Sequence, residues 1–240
     1  MEKNKEIRKM KNMGKTYNIF LAVFITMIVL TNIIGVKLFE IFPNLTSDSI
    51  FGGPITLTTG IITYPITFLI TDIVCEVFGK KKASHMVILG FFTSIISLIF
   101  INLAVILPGS EAWVNNSLGY YSINEMQKAY ESVFTLPGFL ISASMLAYLV
   151  AQLIDVRIFH YLKKITNGKK LWLRNNVSTM FSQLIDTIIV NSIFLHFGLN
   201  LSWDIIFKII IASYIFKIII AVIDTPLVYL GVHLTKKISK

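Results

Sequence analysis

Residues 177–198 read VSTMFSQLIDTIIVNSIFLHFG, an apolar stretch long enough to cross a lipid bilayer, with Asp186 near its centre. A carboxylate at membrane depth costs about 2.5–3.5 kcal/mol on insertion scales, so it is rarely incidental. Asp72, Asp155 and Asp224 hold similar positions in three other apolar stretches. Four such acids in a chain of 240 residues predict a polar site buried between membrane helices.

The composition of the chain is that of a membrane protein. Hydrophobic residues make up 55% of it, charged residues only 15%, and the mean hydropathy is +0.72. A soluble domain carries about 25% charged residues, so this chain has too few to cover a water-facing surface. The apolar residues gather into six blocks, each near the roughly 20 residues that a helix needs to cross a bilayer. We predict one all-α membrane domain over residues 1–240, with transmembrane helices at 18–41, 61–79, 86–107, 136–161, 177–198 and 205–232.

The distribution of basic residues predicts the orientation in the membrane. The net charge is +9, and the basic residues cluster at 1–17, 80–82, 163–174 and 236–240. These clusters alternate with segments in which acidic residues prevail, as the positive-inside rule requires of cytoplasmic loops. Both termini are therefore expected in the cytoplasm, with residues 1–17 as a basic tail and the first span as a retained anchor. The pattern indicates that the positive charge reflects insertion into a lipid bilayer and not binding of a nucleic acid.

Two segments between the spans carry local signals. Gly52-Gly53-Pro54 lies between residues 49–51 and the alternating residues 55–58, which predicts a short outer hairpin or re-entrant cap within 42–60. Ser122 and Glu125 have the spacing of a capping box, and apolar residues then follow at helical intervals. This predicts a short amphipathic helix that either covers the entrance or lies at the membrane interface. Pro65 predicts a kink inside the second span.

Polar residues share one face in several spans. In the fifth span they fall within an arc of roughly 140°, which must turn away from lipid. These residues are Asn175, Asn176, Thr179, Ser182, Gln183, Asp186 and Thr187. Serine and threonine hydroxyls on such faces often only hydrogen-bond one helix to another. An aspartate is unfavourable for that purpose alone, because its charge is costly to place in the membrane. Lys217 is deep enough in the sixth span to pair with one of the aspartates, and the sequence leaves the partner open.

Motifs for known enzyme classes are missing from the sequence. It contains no H-E-x-x-H, no G-x-S-x-G and no P-loop, and the four histidines stand alone near span ends. We therefore expect no catalytic residues, no metal site and no cofactor. A channel would show a repeated filter or a ring of charge, and neither is visible.

Motifs in five spans resemble a known family. They are Thr31-Asn32, residues 64–79, Gln152-Leu153-Ile154-Asp155, residues 174–179 with 182–187, and Tyr214-x-x-Lys217. Over about residues 17–232 the chain resembles the queuosine precursor transporter family, also called the vitamin uptake transporter family. The resemblance implies a bacterial inner-membrane importer of 7-deazaguanine bases for tRNA queuosine salvage. The bases are 7-cyano-7-deazaguanine, 7-aminomethyl-7-deazaguanine and queuine.

The resemblance also implies a fold and leaves the partners open. The six-helix pattern resembles the substrate-binding subunits of energy-coupling-factor transporters. Those subunits carry alanine-rich docking motifs in the first helix, whereas residues 20–26 show no A-x-x-x-A. An ATPase module is therefore not supported and not excluded, and a homo-oligomer is equally left open.

Chemistry and family together suggest the contacts to a 7-deazaguanine. Its N1–H and exocyclic N2 donors match the two oxygens of a carboxylate, for which Asp186 or Asp72 is the hypothesis. Gln183 and Asn32 would read O6 or N3, aromatic rings would stack on the base, and Glu76 would suit an aminomethyl cation. The predicted substrate-binding residues are Asn32, Tyr64, Phe68, Asp72, Glu76, Tyr148, Gln152, Asp155, Asn176, Thr179, Gln183, Asp186 and Lys217.

Two other hypotheses remain open at this point. The chain could be a binding subunit for another small vitamin-like heterocycle, driven by a partner ATPase. It could also be a non-transporting structural subunit whose acids pair with Lys217 and Arg157. ATP-dependent uptake would favour the first hypothesis. Absence of saturable ligand binding, with large losses of stability on removal of any one acid, would favour the second.

Overall fold

The computed structural model describes residues 2–35, 37–41, 44, 55–134, 138–198, 200 and 202–238. Within them the helices are α1 Glu2–Ile34, α2 Tyr64–Phe78, α3 Lys80–Ile106, α4 Ile123–Phe134, α5 Gly138–Ile165, α6 Leu171–Asn191 and α7 Trp203–Ile238. Two short strands, β1 Leu38–Ile41 and β2 Ile55–Thr58, form an antiparallel pair. A π-helix, Ser192–Gly198, continues α6. The all-α class is confirmed.

Five segments of the described residues are long and apolar enough to cross a membrane. They are Lys9–Ile34, Thr59–Phe78, Lys80–Ile106, Met145–Ile165 and Trp203–Lys237. The remaining predicted span corresponds to α6 and its π-helical extension, and α6 is too polar to belong to this group. Its buried residues are all polar or charged, whereas Phe181 and Ile188 are exposed. The polar face of α6 is thus turned inward, as its sequence predicts.

The other helices enclose this polar face. Helix α6 packs against α5 and α7, and α2 packs against α7, α5 and α1. Helices α1 and α3 contact each other on the far side of α2, where an apolar cluster includes Phe24, Val74 and Met86. Large apolar residues such as Phe100 on α3 and Ile223 on α7 are exposed, as lipid contact requires. The polar core therefore lies between α2, α5, α6 and α7.

The beginning of the chain differs from the prediction. Helix α1 ends at Ile34, not at 41, and residues 38–41 form β1, with Ile41 opposite Ile55. The hairpin is confirmed for residues 55–58, but 38–41 is their partner, and residues 49–51 lie outside the described residues. The basic tail is also helical from Glu2 and runs into the first span without a break. Its lysines, glutamates and methionines favour a helix, and it contains no proline to stop one.

Two local predictions have different outcomes. The Ser122 half of the α4 capping box is confirmed, because the Glu125 amide donates to Ser122 Oγ at 3.3 Å, whereas Glu125 Oε2 accepts from the amide of Tyr121, one residue before the cap, at 2.7 Å. The kink at Pro65 is wrong, because Pro65 lies in the first turn of α2. An amide there has no partner within the helix, so proline frees no carbonyl.

Packing between α1 and α3 depends on Gly90. A Cβ added there would lie 2.6 Å from Cε1 of the buried Phe24, whereas one added at Gly14 would meet nothing within 4 Å. We expect Gly90→Ala to lower the free energy of unfolding in detergent by about 1–3 kcal/mol through overpacking. Gly14→Ala, the matched control, should leave it unchanged or raise it by up to about 1 kcal/mol. Equal effects of the two substitutions would contradict this packing.

Candidate functional site

One face of α2 carries four of the predicted substrate-binding residues. Tyr64, Phe68, Asp72 and Glu76 follow each other at intervals of four residues, so they share a face about 18 Å long. Side chains of α5, α6 and α7 meet this face at three levels. We call them the aromatic layer (Tyr64, Phe68, Tyr148, Gln183, Asp186, Lys217), the aspartate layer (Asp72, Gln152, Asp155, Thr179, Ser182) and the ion-pair layer (Glu76, Lys163, Arg174, Lys236).

The aromatic layer combines three rings with a charge pair. The ring centroids lie 5.1 Å apart for Tyr64 and Phe68, 5.7 Å for Tyr64 and Tyr148, and 6.5 Å for Phe68 and Tyr148. Lys217 Nζ lies 2.8 Å from Asp186 Oδ2 and 4.8 Å from the centroid of the Tyr64 ring. The ammonium group is therefore held by a carboxylate and by a ring face at once. Asp186 is the partner of Lys217 that the sequence left open.

A second contact positions Lys217. One helical turn before it, the Tyr214 hydroxyl donates to the Met180 carbonyl oxygen at 3.2 Å, which joins α7 to α6. The Tyr214-x-x-Lys217 spacing puts both side chains on the same side of α7. The anchor and the ion pair therefore act between the same two helices.

A small cavity opens beside the aromatic layer, between α2, α6 and α7. Its walls are Ile61, Tyr64, Pro65, Phe68, Thr179, Gln183, Lys217, Ile220, Ala221 and Asp224. Its volume of about 20 Å³ is enough for a single water molecule. Gln183 Oε1 and Tyr64 Oη are buried there without a hydrogen-bond partner among the described residues. A ligand larger than a water molecule can therefore enter this cavity only if the helices separate.

The aspartate layer lies one turn of α2 beyond the rings. Thr179 Oγ1 donates to Asp72 Oδ2 at 3.4 Å, and Ser182 Oγ donates to Asp155 Oδ1 at 3.2 Å. Gln152 Nε2 donates to Tyr148 Oη at 2.9 Å and so links this layer to the aromatic layer. Asp72 and Asp155 are almost completely buried and interact electrostatically with each other.

The ion-pair layer surrounds a single carboxylate with three cations. Glu76 Oε2 lies 2.6 Å from Arg174 Nη2 and 2.8 Å from Lys163 Nζ, and Glu76 Oε1 lies 3.6 Å from Lys236 Nζ. Arg174 is only 1% exposed. The four residues come from α2, α5, α6 and α7, so one acid joins all four helices. Glu76, which sequence reasoning assigned to the substrate, is thus occupied by ion pairs away from the rings.

Two other predicted residues lie apart from the aromatic layer. Asn176 Nδ2 donates to Thr225 Oγ1 and to the Trp172 carbonyl oxygen, both at 2.8 Å, so it joins α6 to α7. Asn32 is half-buried in α1, and no hydrogen bond among the described residues joins it to the three layers. Sequence reasoning missed Arg174 as a site residue, because it counted Arg174 with the basic cluster before the fifth span.

Comparisons with known proteins point to transport. A family model described as "Putative vitamin uptake transporter" matches residues 58–231. A "Probable queuosine precursor transporter" of Bacillus subtilis is 31% identical over 73% of this chain and 71% of its own length. A protein of the same name from Haemophilus influenzae is 28% identical over 57% of this chain and 51% of its own length. The "Queuosine precursor transporter" of Escherichia coli K12 is 24% identical over 55% of this chain and 52% of its own length. No solved structure matches the chain.

The Lys217–Asp186 pair can be tested by a double-mutant cycle. We expect Lys217→Met and Asp186→Asn each to destabilise the protein, because each leaves a largely buried charge without its partner. The loss of stability in the double variant should be smaller than the sum of the losses in the two single variants. The coupling free energy, measured by unfolding in detergent, should be about 0.5–3 kcal/mol. Lys208→Met, an exposed lysine on the same helix, should be additive with Asp186→Asn. If the stability losses of Lys217→Met and Asp186→Asn were additive, this would contradict an ion pair between Lys217 and Asp186.

The ion-pair layer makes a separate prediction about stability. Glu76→Gln leaves Arg174 buried without a carboxylate, so the free energy of unfolding should fall by about 3–5 kcal/mol. Glu40→Gln, which changes an exposed glutamate of β1, should shift it by less than about 0.5 kcal/mol. Both values can be measured by denaturant unfolding in detergent, followed by tryptophan fluorescence. Similar losses in the two variants would show that Glu76 does not hold the helices together.

Proposed function

The chain belongs to the vitamin uptake transporter family, and from this premise we propose that it imports a 7-deazaguanine precursor of queuosine across the bacterial inner membrane. It is a multi-pass membrane transporter and not an enzyme. The three named relatives are queuosine precursor transporters by name, which supports this class of substrate. The choice among the cyano base, the aminomethyl base and queuine is left to experiment.

The observation that carries the proposal is the composition of the aromatic layer. A 7-deazaguanine is a flat ring system with donors at N1 and N2 and acceptors at O6 and N3. Tyr64, Phe68 and Tyr148 supply ring faces for stacking. Asp186 supplies acceptors for the N1 and N2 donors, and Lys217 supplies a donor for O6.

Other polar groups beside the cavity complete this recognition set. The unpartnered Gln183 amide oxygen is a second acceptor beside the Asp186 carboxylate. Thr179 and Asp224 also line the cavity. The position of Glu76 among three cations favours a structural role for it over contact with an aminomethyl group.

We further propose a topology of six spans with both termini in the cytoplasm. In this topology α6 with its π-helical extension is the fifth span, because α5 and α7 flank it and its polar face is buried. The positive-inside rule then puts the ion-pair layer near the cytoplasm and the aromatic layer nearer the outside. An aromatic layer nearer the outside suits a protein that takes up its substrate from outside the cell. The number of spans is that of the binding subunits of energy-coupling-factor transporters. A partner ATPase and a homo-oligomer remain open.

Thermal unfolding of the detergent-purified protein tests the substrate. Ligand at a hundred times its Kd stabilises the native state by about 2.7 kcal/mol. We expect the unfolding temperature to rise with one of the three 7-deazaguanines, and to rise less with guanine. The shift should be lost in Lys217→Met and in Asp186→Asn and retained in Lys208→Met, each compared with its own ligand-free value.

The contrary outcomes separate the competing hypotheses. A shift with a different heterocycle alone would make the chain a transporter of another substrate. No shift with any ligand, in a protein that is monodisperse and folded, would overturn the proposal. An ATPase that copurifies, together with uptake that requires ATP, would identify the chain as the binding subunit of a larger complex.

A further inference from the structure

We propose that Asp72 and Asp155 form a proton-binding site that drives substrate uptake by proton entry. The proton site stands on the geometry of the aspartate layer, whereas its coupling to uptake rests on the function proposed above. The site is distinct from the cavity of the aromatic layer, which binds the substrate in that proposal.

Both carboxylates are buried and only partly satisfied. Asp72 is 2% exposed and Asp155 is 0% exposed. Asp72 accepts a hydrogen bond from Thr179 at 3.4 Å and Asp155 accepts one from Ser182 at 3.2 Å, and the hydroxyls of Ser178 and Thr179 also interact with Asp155. Asp72 Oδ1 and Asp155 Oδ2 have no partner among the described residues. Gln152 Oε1 and Asn175 Oδ1, on the same helix faces, are also buried and unpartnered, so the region is rich in acceptors and poor in donors.

The cations of the core are already paired elsewhere. Lys217 is bound to Asp186, and the three cations of the ion-pair layer are bound to Glu76. No salt bridge among the described residues reaches Asp72 or Asp155. The titratable groups that face them are Cys75 on α2, Tyr148 on α5 and Asp224 on α7, none of which is a cation. On α6 they face Thr179 and Ser182, which are neutral.

Two ionised carboxylates cannot be kept together in such a place without a counter-charge. Each buried ion costs several kcal/mol in desolvation, and the two repel each other because they have like charges. One proton bound by either carboxylate removes a charge and ends the repulsion between the two. The pair then titrates as a unit, as closely coupled acids do.

One hydrogen bond connects this pair to the cavity, and a second joins the aromatic layer to the helix turn before Asp155. Thr179 both lines the cavity and donates to Asp72. Tyr148 belongs to the aromatic layer and is bonded to Gln152, which lies one turn before Asp155 on α5. A base that displaces either contact changes the cost of ionising the pair, and by linkage the proton changes the affinity for the base. Such coupling gives a neutral base an energy source, since each proton that enters across 100 mV releases about 2.3 kcal/mol.

Uptake into proteoliposomes tests the coupling, with 7-cyano-7-deazaguanine as the probe. With one proton per substrate, an inwardly directed gradient of one pH unit should support about tenfold accumulation. A protonophore should abolish it. In Asp72→Asn and Asp155→Asn, uptake with and without the gradient should be equal. Asp204→Asn, which changes an exposed acid at the start of α7, should keep the full response.

Infrared spectroscopy tests the site without any substrate. The ligand-free protein should show the carbonyl band of a protonated, buried carboxyl group, and the double variant Asp72→Asn/Asp155→Asn should lose it. If the band is present but the protein transports none of the 7-deazaguanines, the proton site is supported and the function proposed above is overturned. Absence of the band, accumulation that follows a sodium gradient instead, or a pH response that persists in both single variants would overturn the proton site. Size-exclusion profiles like that of the unmodified protein show that the variants are folded.

Discussion

The polar face of α6 has to be kept out of lipid, and the arrangement of the core follows from this constraint. Hydrocarbon offers no hydrogen bonds, so the eight polar or charged residues buried on this helix need partners within the protein. Helices α2, α5 and α7 supply several of them: the carboxylates of Asp72, Glu76 and Asp155, and the ammonium group of Lys217. A helix with this face could not stand at the edge of the bundle. It lies between α5 and α7 and leaves only residues such as Phe181 for the membrane.

The three layers differ in how completely their charges are balanced. The ion-pair layer has three cations and one carboxylate, so it carries an excess of positive charge. This excess lies at the helix ends that carry the basic clusters. In the aromatic layer one cation meets one carboxylate. In the aspartate layer two carboxylates meet no cation among the described residues. Glu76 is surrounded by cations and holds helices together, the Lys217–Asp186 pair lies beside the cavity, and Asp72 and Asp155 have no counter-charge among the described residues. In the proposals made above, these layers serve structure, recognition and energy coupling, respectively.

Much of this site follows from helical periodicity, and the remainder depends on contacts between helices. The i, i+4 spacing of Tyr64, Phe68, Asp72 and Glu76 puts them on one face whatever surrounds it, and the inward turn of α6 follows from its composition. No periodicity shows that Lys217 meets Asp186 and not Asp72 or Asp155, because that choice depends on how α7 is rotated against α2, α5 and α6. Arg174 was missed for the same reason, since a long side chain near a helix end can reach water or an acid on another helix. Residues 38–41 were assigned to a span because a short apolar strand resembles the last turn of a helix.

The contacts between α2 and its neighbours indicate where the bundle can open for a base. At the end that bears the ion-pair layer, α7 approaches α2 closely, with Gly231 against Ile73 and an apolar cluster that includes Val228 and Val232. At the aromatic layer, the Lys217–Asp186 pair joins α7 to α6, and Lys217 also contacts α2 through the face of the Tyr64 ring. The hydrogen bond from Thr179 to Asp72 is also long, at 3.4 Å. If α6 and α7 separate from α2 at the aromatic layer alone, the Lys217–Asp186 pair stays intact and the cavity widens beside the rings, while the ion pairs of Glu76 with Arg174 and Lys236 hold the other end together.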